Sequence, residues 1–79
     1  MKIYEFQKNV QEKIILSFTE FRGKQLIDLR VYYNAGKTKE DWHPSRKGIS
    51  IRLEAIEDLK EGIDKAYEEW KKTKQSTDN

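Results

Sequence analysis

From Lys13 onward the chain alternates. Ile14, Leu16 and Phe18 fall on one side, and Ile15, Ser17, Thr19 and Phe21 on the other. A period of two is the mark of a β-strand, and the β-branched and aromatic content favours strand over helix. Arg22-Gly23 interrupts the pattern, and Gly23 can take the positive φ of a tight turn. Alternation then resumes from Gln25 to Tyr33. Ile27, Leu29, Val31 and Tyr33 share one face, and Leu26, Asp28, Arg30 and Tyr32 the other. Residues 13–33 therefore predict a β-hairpin turning at Arg22-Gly23. Asn34-Ala35-Gly36-Lys37 reads as a second turn. Thr38 to His43 predicts a short strand around Trp42, ended by Pro44, with Ser45-Arg46-Lys47-Gly48 as loop. Ile49, Ile51 and Leu53 predict a last strand. Residues 1–9 are short and mixed, a strand or a tail.

The period then changes. Leu53, Ile56, Leu59, Ile63, Ala66, Tyr67 and Trp70 recur at steps of three and four, the stripe of an amphipathic helix. Glu54, Glu57 and Asp58 at its start and Lys71, Lys72 and Lys74 at its end suit the helix dipole. The expected fold is α+β: a four-stranded antiparallel sheet followed by one C-terminal amphipathic helix. An N-terminal segment, 1–9, precedes a domain over 10–74, and 75–79 is a frayed polar tail.

Size limits how such a chain stays folded. A chain of 79 residues without cysteine has no disulfide or thiolate metal site, and its core is marginal. A partner subunit is the remaining staple. The start of the chain does not read as a signal peptide, and no apolar run approaches a membrane span, so a cytoplasmic protein without membrane contact is expected. His43 is the sole histidine, and no Ser/His/Asp order or phosphate-cradling glycine loop appears. No enzyme, cofactor or metal is expected.

The net charge of +2 conceals an asymmetry. Residues 1–53 carry eleven Lys/Arg against six Asp/Glu, and residues 54–79 carry five against eight. A basic front and an acidic back suggest one surface for a polyanion and another for solvent or protein. One helix covers one face of a small sheet. The other face carries Arg30, Tyr32, Arg52 and Phe21, the mixture of cations and aromatics on which unpaired bases stack. Ordinary solvent-facing residues are the alternative.

Two stretches add a resemblance. Phe21-Arg22-Gly23-Lys24 followed by Leu26-Ile27-Asp28-Leu29-Arg30-Val31-Tyr32-Tyr33 resembles the central hairpin of the positive cofactor 4 family of transcriptional coactivators. Trp42-His43-Pro44-Ser45-Arg46-Lys47-Gly48-Ile49-Ser50-Ile51 resembles that family's second signature, and Phe6-Gln7-Lys8-Asn9 the entry segment of its prokaryotic members. The resemblance implies a sheet backed by one helix, pairing of two subunits partly through those helices, and tight binding of single-stranded DNA or melted duplex with little sequence preference. It implies base stacking by Phe21, basic contacts from Arg22, Lys24, Arg30 and Lys47, and Tyr33 where coactivators often carry a stacking Trp. Lys8 and Lys13 are the nearest match to the first-strand basic residues. Tyr32, Trp42 and Arg46 complete the candidate set, with Trp42 open between packing and stacking. Ile56, Leu59, Ile63, Tyr67 and Trp70 are the candidate dimer interface. RNA and the transcription machinery stand as further partners. The competing class is a protein-interaction module with weak DNA binding, recruiting that machinery through the acidic helix or a sheet edge.

Overall fold

The structure, a computed structural model, describes residues 1–77, with side chains through Lys74. Four strands, β1 (Lys2–Gln7), β2 (Glu12–Phe21), β3 (Lys24–Asn34) and β4 (Trp42–Arg52), form one antiparallel sheet in the order β1-β2-β3-β4. A 3-10 turn, Leu53–Ala55, leads into a single helix, α1 (Ile56–Thr77). The expected fold class is the one observed. The polar end expected over 75–79 reaches past this helix, and residues 78–79 lie outside the described residues.

Local chemistry explains the turns. Between β2 and β3 only Arg22 and Gly23 intervene, both at positive φ (52° and 78°), flanked by the pair Phe21 and Lys24. Positive φ at both central residues gives a hairpin turn whose twist matches that of the strands. Between β1 and β2 the Asn9 side chain accepts from the Gln11 amide at 3.0 Å and donates to Glu12 at 2.7 Å. Between β3 and β4 the Asn34 side chain accepts from the Gly36 amide at 2.7 Å and donates to the Thr38 carbonyl at 3.2 Å. Asx side chains of this kind replace missing backbone partners in loops.

The strand count agrees with expectation, but two of the four strands are built differently. Residues 2–7 are a full strand, paired with β2. The short strand, the break at Pro44 and the loop at Ser45–Gly48 are instead one continuous strand, β4. Pro44 stands opposite Tyr32 and Gly48 opposite Arg30, so Ser45, Arg46 and Lys47 together face Val31 alone. That is a bulge. It survives because β4 is an edge strand, where a proline's missing N–H costs no ladder bond. Gly48 closes the bulge at φ 154°, where a Cβ would run into the Leu29 carbonyl oxygen and lie 2.8 Å from Arg30 Cα.

Register sets the two faces. Tyr4, Phe6, Ile14, Leu16, Phe18, Ile27, Leu29, Val31, Ile49 and Ile51 share the apolar one. It is thinly covered. Ile27 and Val31 are its buried residues, neither below 3% exposure, while Ile15, also buried, points to the opposite face. Past its first turns α1 leaves the sheet, with Ile63, Tyr67 and Trp70 each more than half exposed. The Cα radius of gyration is 15.6 Å, against about 12 Å for a compact chain of this length.

Gly48→Ala places a side chain where backbone already lies, at a φ that L-residues rarely adopt. A loss of about 2 kcal/mol or more is expected, lowering the thermal midpoint by roughly 10 °C. Thermal unfolding followed by circular dichroism measures it, and an unchanged midpoint contradicts this path for β4.

Candidate nucleic-acid interface

The second face of the sheet is polar and aromatic. β2 contributes Lys13, Ile15, Ser17, Thr19 and Phe21; β3 contributes Leu26, Asp28, Arg30 and Tyr32; β4 contributes Trp42, Ser50 and Arg52. The distance along β2 from Lys13 to Phe21 is about 26 Å at strand rise. Five candidates from the sequence, Lys13, Phe21, Arg30, Tyr32 and Trp42, thus share one surface, with Lys24 beside Phe21 at its end.

They differ in what they have left to offer. At the turn, Phe21 is 61% exposed, and the Arg22 guanidinium lies 5.1 Å from its ring centroid. Arg22 is the one non-glycine residue at positive φ among those described. An L-residue in that region costs roughly 1–2 kcal/mol, and such strain gathers where function holds it in place. Lys24 is exposed. At the opposite end, Lys13 Nζ sits 4.5 Å from the centroid of the Trp42 ring and 3.0 Å from Glu5, with its side chain 13% exposed. Its charge is taken up within the protein. The Trp42 indole N–H donates to the Lys39 carbonyl at 3.0 Å, which fixes the ring on the sheet.

Mid-face, Arg30 forms a fork with Asp28 (Nη2 to Oδ1, 2.9 Å), and Ser50 Oγ donates to the same carboxylate at 2.5 Å. Burial pushes the Asp28 carboxyl up, but the hydrogen bonds from Arg30 and Ser50 outweigh it and hold the pKa below the ordinary value. The same hydrogen bond raises Arg30. Asp28, Ser45 and Ser50 were not among the residues expected here. The Asp28-x-Arg30 spacing, which sets both on one strand face, was the available signal.

Other candidates lie elsewhere. Lys8 is in the β1–β2 turn, ion-paired with Glu12 at 3.0 Å. The Glu12 carboxyl is held low by the Asn9 amide and Lys8, with Lys47 a further nearby charge. Tyr33 is on the apolar face, its ring centroid 5.9 Å from that of His43, which pairs with Asp41 at 2.7 Å. Alternation puts Tyr33 and Arg30 on opposite sides. Arg46 and Lys47 are exposed on the β4 bulge. On α1, Ile56, Leu59, Ile63, Tyr67 and Trp70 line one stripe. Tyr67 and Trp70 pack together at 5.7 Å, under Lys71 and Lys74 at 5.2 and 5.1 Å from their centroids. Among the described residues no group of three or more His, Asp or Glu could hold a metal ion, and no helix is long and apolar enough to cross a membrane.

A four-stranded meander, an exposed basic-aromatic turn and a C-terminal helix stand together in this fold. Residues 8–62 match the family described as transcriptional coactivator p15 (PC4), and the chain belongs to that family. Its fold is similar to crystal structures of a PC4 homolog from Burkholderia pseudomallei. The tetragonal form gives a TM-score of 0.74 at 30% identity, covering 85% of this chain and 96% of that one. The orthorhombic form gives 0.74 at 29%, covering 85% and 88%.

The left-handed conformation of Arg22 carries a prediction of its own. Asn tolerates that region better than Arg, so Arg22→Asn should raise the stability by on the order of 0.5–1 kcal/mol. A higher thermal midpoint is the expected result; a lower one means the turn is not strained at this residue.

Proposed function

We propose that the protein is a non-enzymatic binder of single-stranded DNA, largely indifferent to sequence, that acts as a homodimer in transcription regulation or in DNA replication or repair. The observation that carries this is the turn: Phe21 exposed at 61%, between Arg22 and Lys24, at the end of a polar-aromatic sheet face. An unpaired base offers a π-face to the ring, and the adjacent phosphates meet the two cations. A duplex keeps its bases stacked and out of reach. Arg46 and Lys47 extend the basic surface along the edge of the sheet.

The homodimer rests on uncovered apolar surface. Tyr4, Phe6 and Ile49 on the sheet and Ile63, Tyr67 and Trp70 on the helix are all more than half exposed. Such a surface on a soluble chain marks an interface. A second copy brings the same two surfaces, and an isologous contact buries both sets at once. Two DNA faces then sit in one assembly, and a strand that reaches both gains avidity.

Fluorescence anisotropy on equal lengths of single-stranded and duplex DNA tests the binding. The single strand should win, with affinity falling steeply in salt, by a log–log slope of about −0.7 per phosphate contact. Phe21→Ala should lose about 1–3 kcal/mol through the missing stack. Equal affinity for duplex, or normal binding by folded Phe21→Ala, removes the stacking account.

Assembly is measured separately. Unfolding coupled to dissociation makes the thermal midpoint rise with protein concentration. Sedimentation equilibrium should find a dimer, and a folded monomer at tens of micromolar overturns it.

A further inference from the structure

Arg30 is the residue that a DNA-binding face would set against a phosphate, yet its guanidinium is engaged within the protein. Nε lies 3.2 and 3.1 Å from the two oxygens of Asp28, and Nη2 lies 2.9 Å from Oδ1. Nη1 donates to the Ser45 carbonyl at 3.1 Å. Asp28, 7% exposed, is the buried charged residue of the sheet and also accepts from Ser50 of β4. A carboxylate so placed is tolerated only while its partners remain.

The far end of this network is the bulge. Ser45, Arg46 and Lys47 face a single residue of β3, so the regular ladder cannot hold all three. Ser45 supplies the substitute: its hydroxyl donates to the Val31 carbonyl at 2.8 Å and accepts from the Lys47 amide at 3.1 Å. Arg30 grips the carbonyl of that same serine from the other direction. Asp28 aims Arg30, Arg30 anchors Ser45, and Ser45 sets the backbone of Lys47.

We propose that Asp28 and Arg30 are positioning residues that hold the bulged segment of β4, so that Arg46 and Lys47 meet the DNA backbone, and that Arg30 makes no phosphate contact of its own. This rests on the single-stranded DNA reading above. It differs in sign from a direct role for Arg30. If Arg30 bound phosphate, Asp28→Asn would release the guanidinium and add a positive charge, and binding would tighten. As a positioning pair, the same substitution weakens binding although the protein becomes more positive.

The experiment is anisotropy on single-stranded DNA over a salt series with the full-length protein, Asp28→Asn and Arg30→Lys. Amide resonances of residues 45–48 are recorded without DNA. The expected result for Asp28→Asn is an affinity loss on the order of tenfold at 0.1 M salt, with the slope reduced by about 1.4, the share of two phosphate contacts. Arg30→Lys keeps the charge but loses the fork, and should behave the same way. Adding Arg46→Ala and Lys47→Ala to it should cost little more, because those contacts are already lost. The bulge resonances should shift in both variants while those of Arg22 and Gly23 stay in place. Tighter binding by Asp28→Asn, or an unchanged slope in Arg30→Lys, overturns the proposal. If Asp28→Asn does not fold, Arg30→Lys decides. If the wild-type protein does not bind single strands, the functional reading itself falls and takes the DNA half of this proposal with it. The free-protein resonances then still show whether residues 28 and 30 hold the bulge, and unshifted ones overturn that half too.

Discussion

A single four-stranded sheet has two faces, and this chain has one helix with which to cover them. That constraint organises the molecule. The helix does not close over the sheet; past its first turns it leaves and carries its apolar stripe into the open. The apolar face is left with two buried apolar residues, Ile27 and Val31, too few to hold a domain of this size by themselves. In the proposed homodimer a second copy answers that shortage, and the polar-aromatic face remains for the proposed ligand, which needs rings and positive charge together.

The charge asymmetry has a matching local basis. On α1, Lys60 pairs with Asp64 and Lys65 with Glu61, one turn apart, so much of the helix's charge is balanced along its own exposed side. Such pairs are worth little individually, and at the end of the apolar stripe Lys71 and Lys74 lie over the Tyr67 and Trp70 rings. On the sheet, by contrast, cations are sorted by use. Lys13 and Arg30 are committed to Glu5 and Asp28, while Arg22, Lys24, Arg46 and Lys47 stand exposed at the turn and the bulge. The cations left exposed therefore stand at the turn and the edge rather than in the middle of the sheet.

Turn and bulge share a further trait. Each departs from regular backbone, Arg22 in the left-handed region and Gly48 at a φ that excludes a side chain. Each projects basic residues from a rigid strand pair. Exposed cations on freely moving loops lose more entropy on binding than cations on backbone already held.

The hairpin over 13–33, its turn and the helix were legible in the sequence, because alternation, a turn glycine and a three-four stripe are local signals. The face shared by Arg30 and Tyr32 was legible for the same reason. β4 was not. Pro44 and Gly48 are breakers when read along the chain, and only their place on a sheet edge, opposite Tyr32 and Arg30, makes them parts of a strand. The spacing of Asp28 and Arg30 on one strand face made their pairing legible, but the contact of Arg30 with Ser45 was out of reach, since Ser45 comes to it from another strand. The sequence by itself determined the β2–β3 hairpin, the helix and which side chains of these elements share a face, since periodicity depends on neighbours in the chain. Tertiary structure alone decided which cations remain exposed, because a salt bridge or a bulge depends on what the fold brings across from elsewhere.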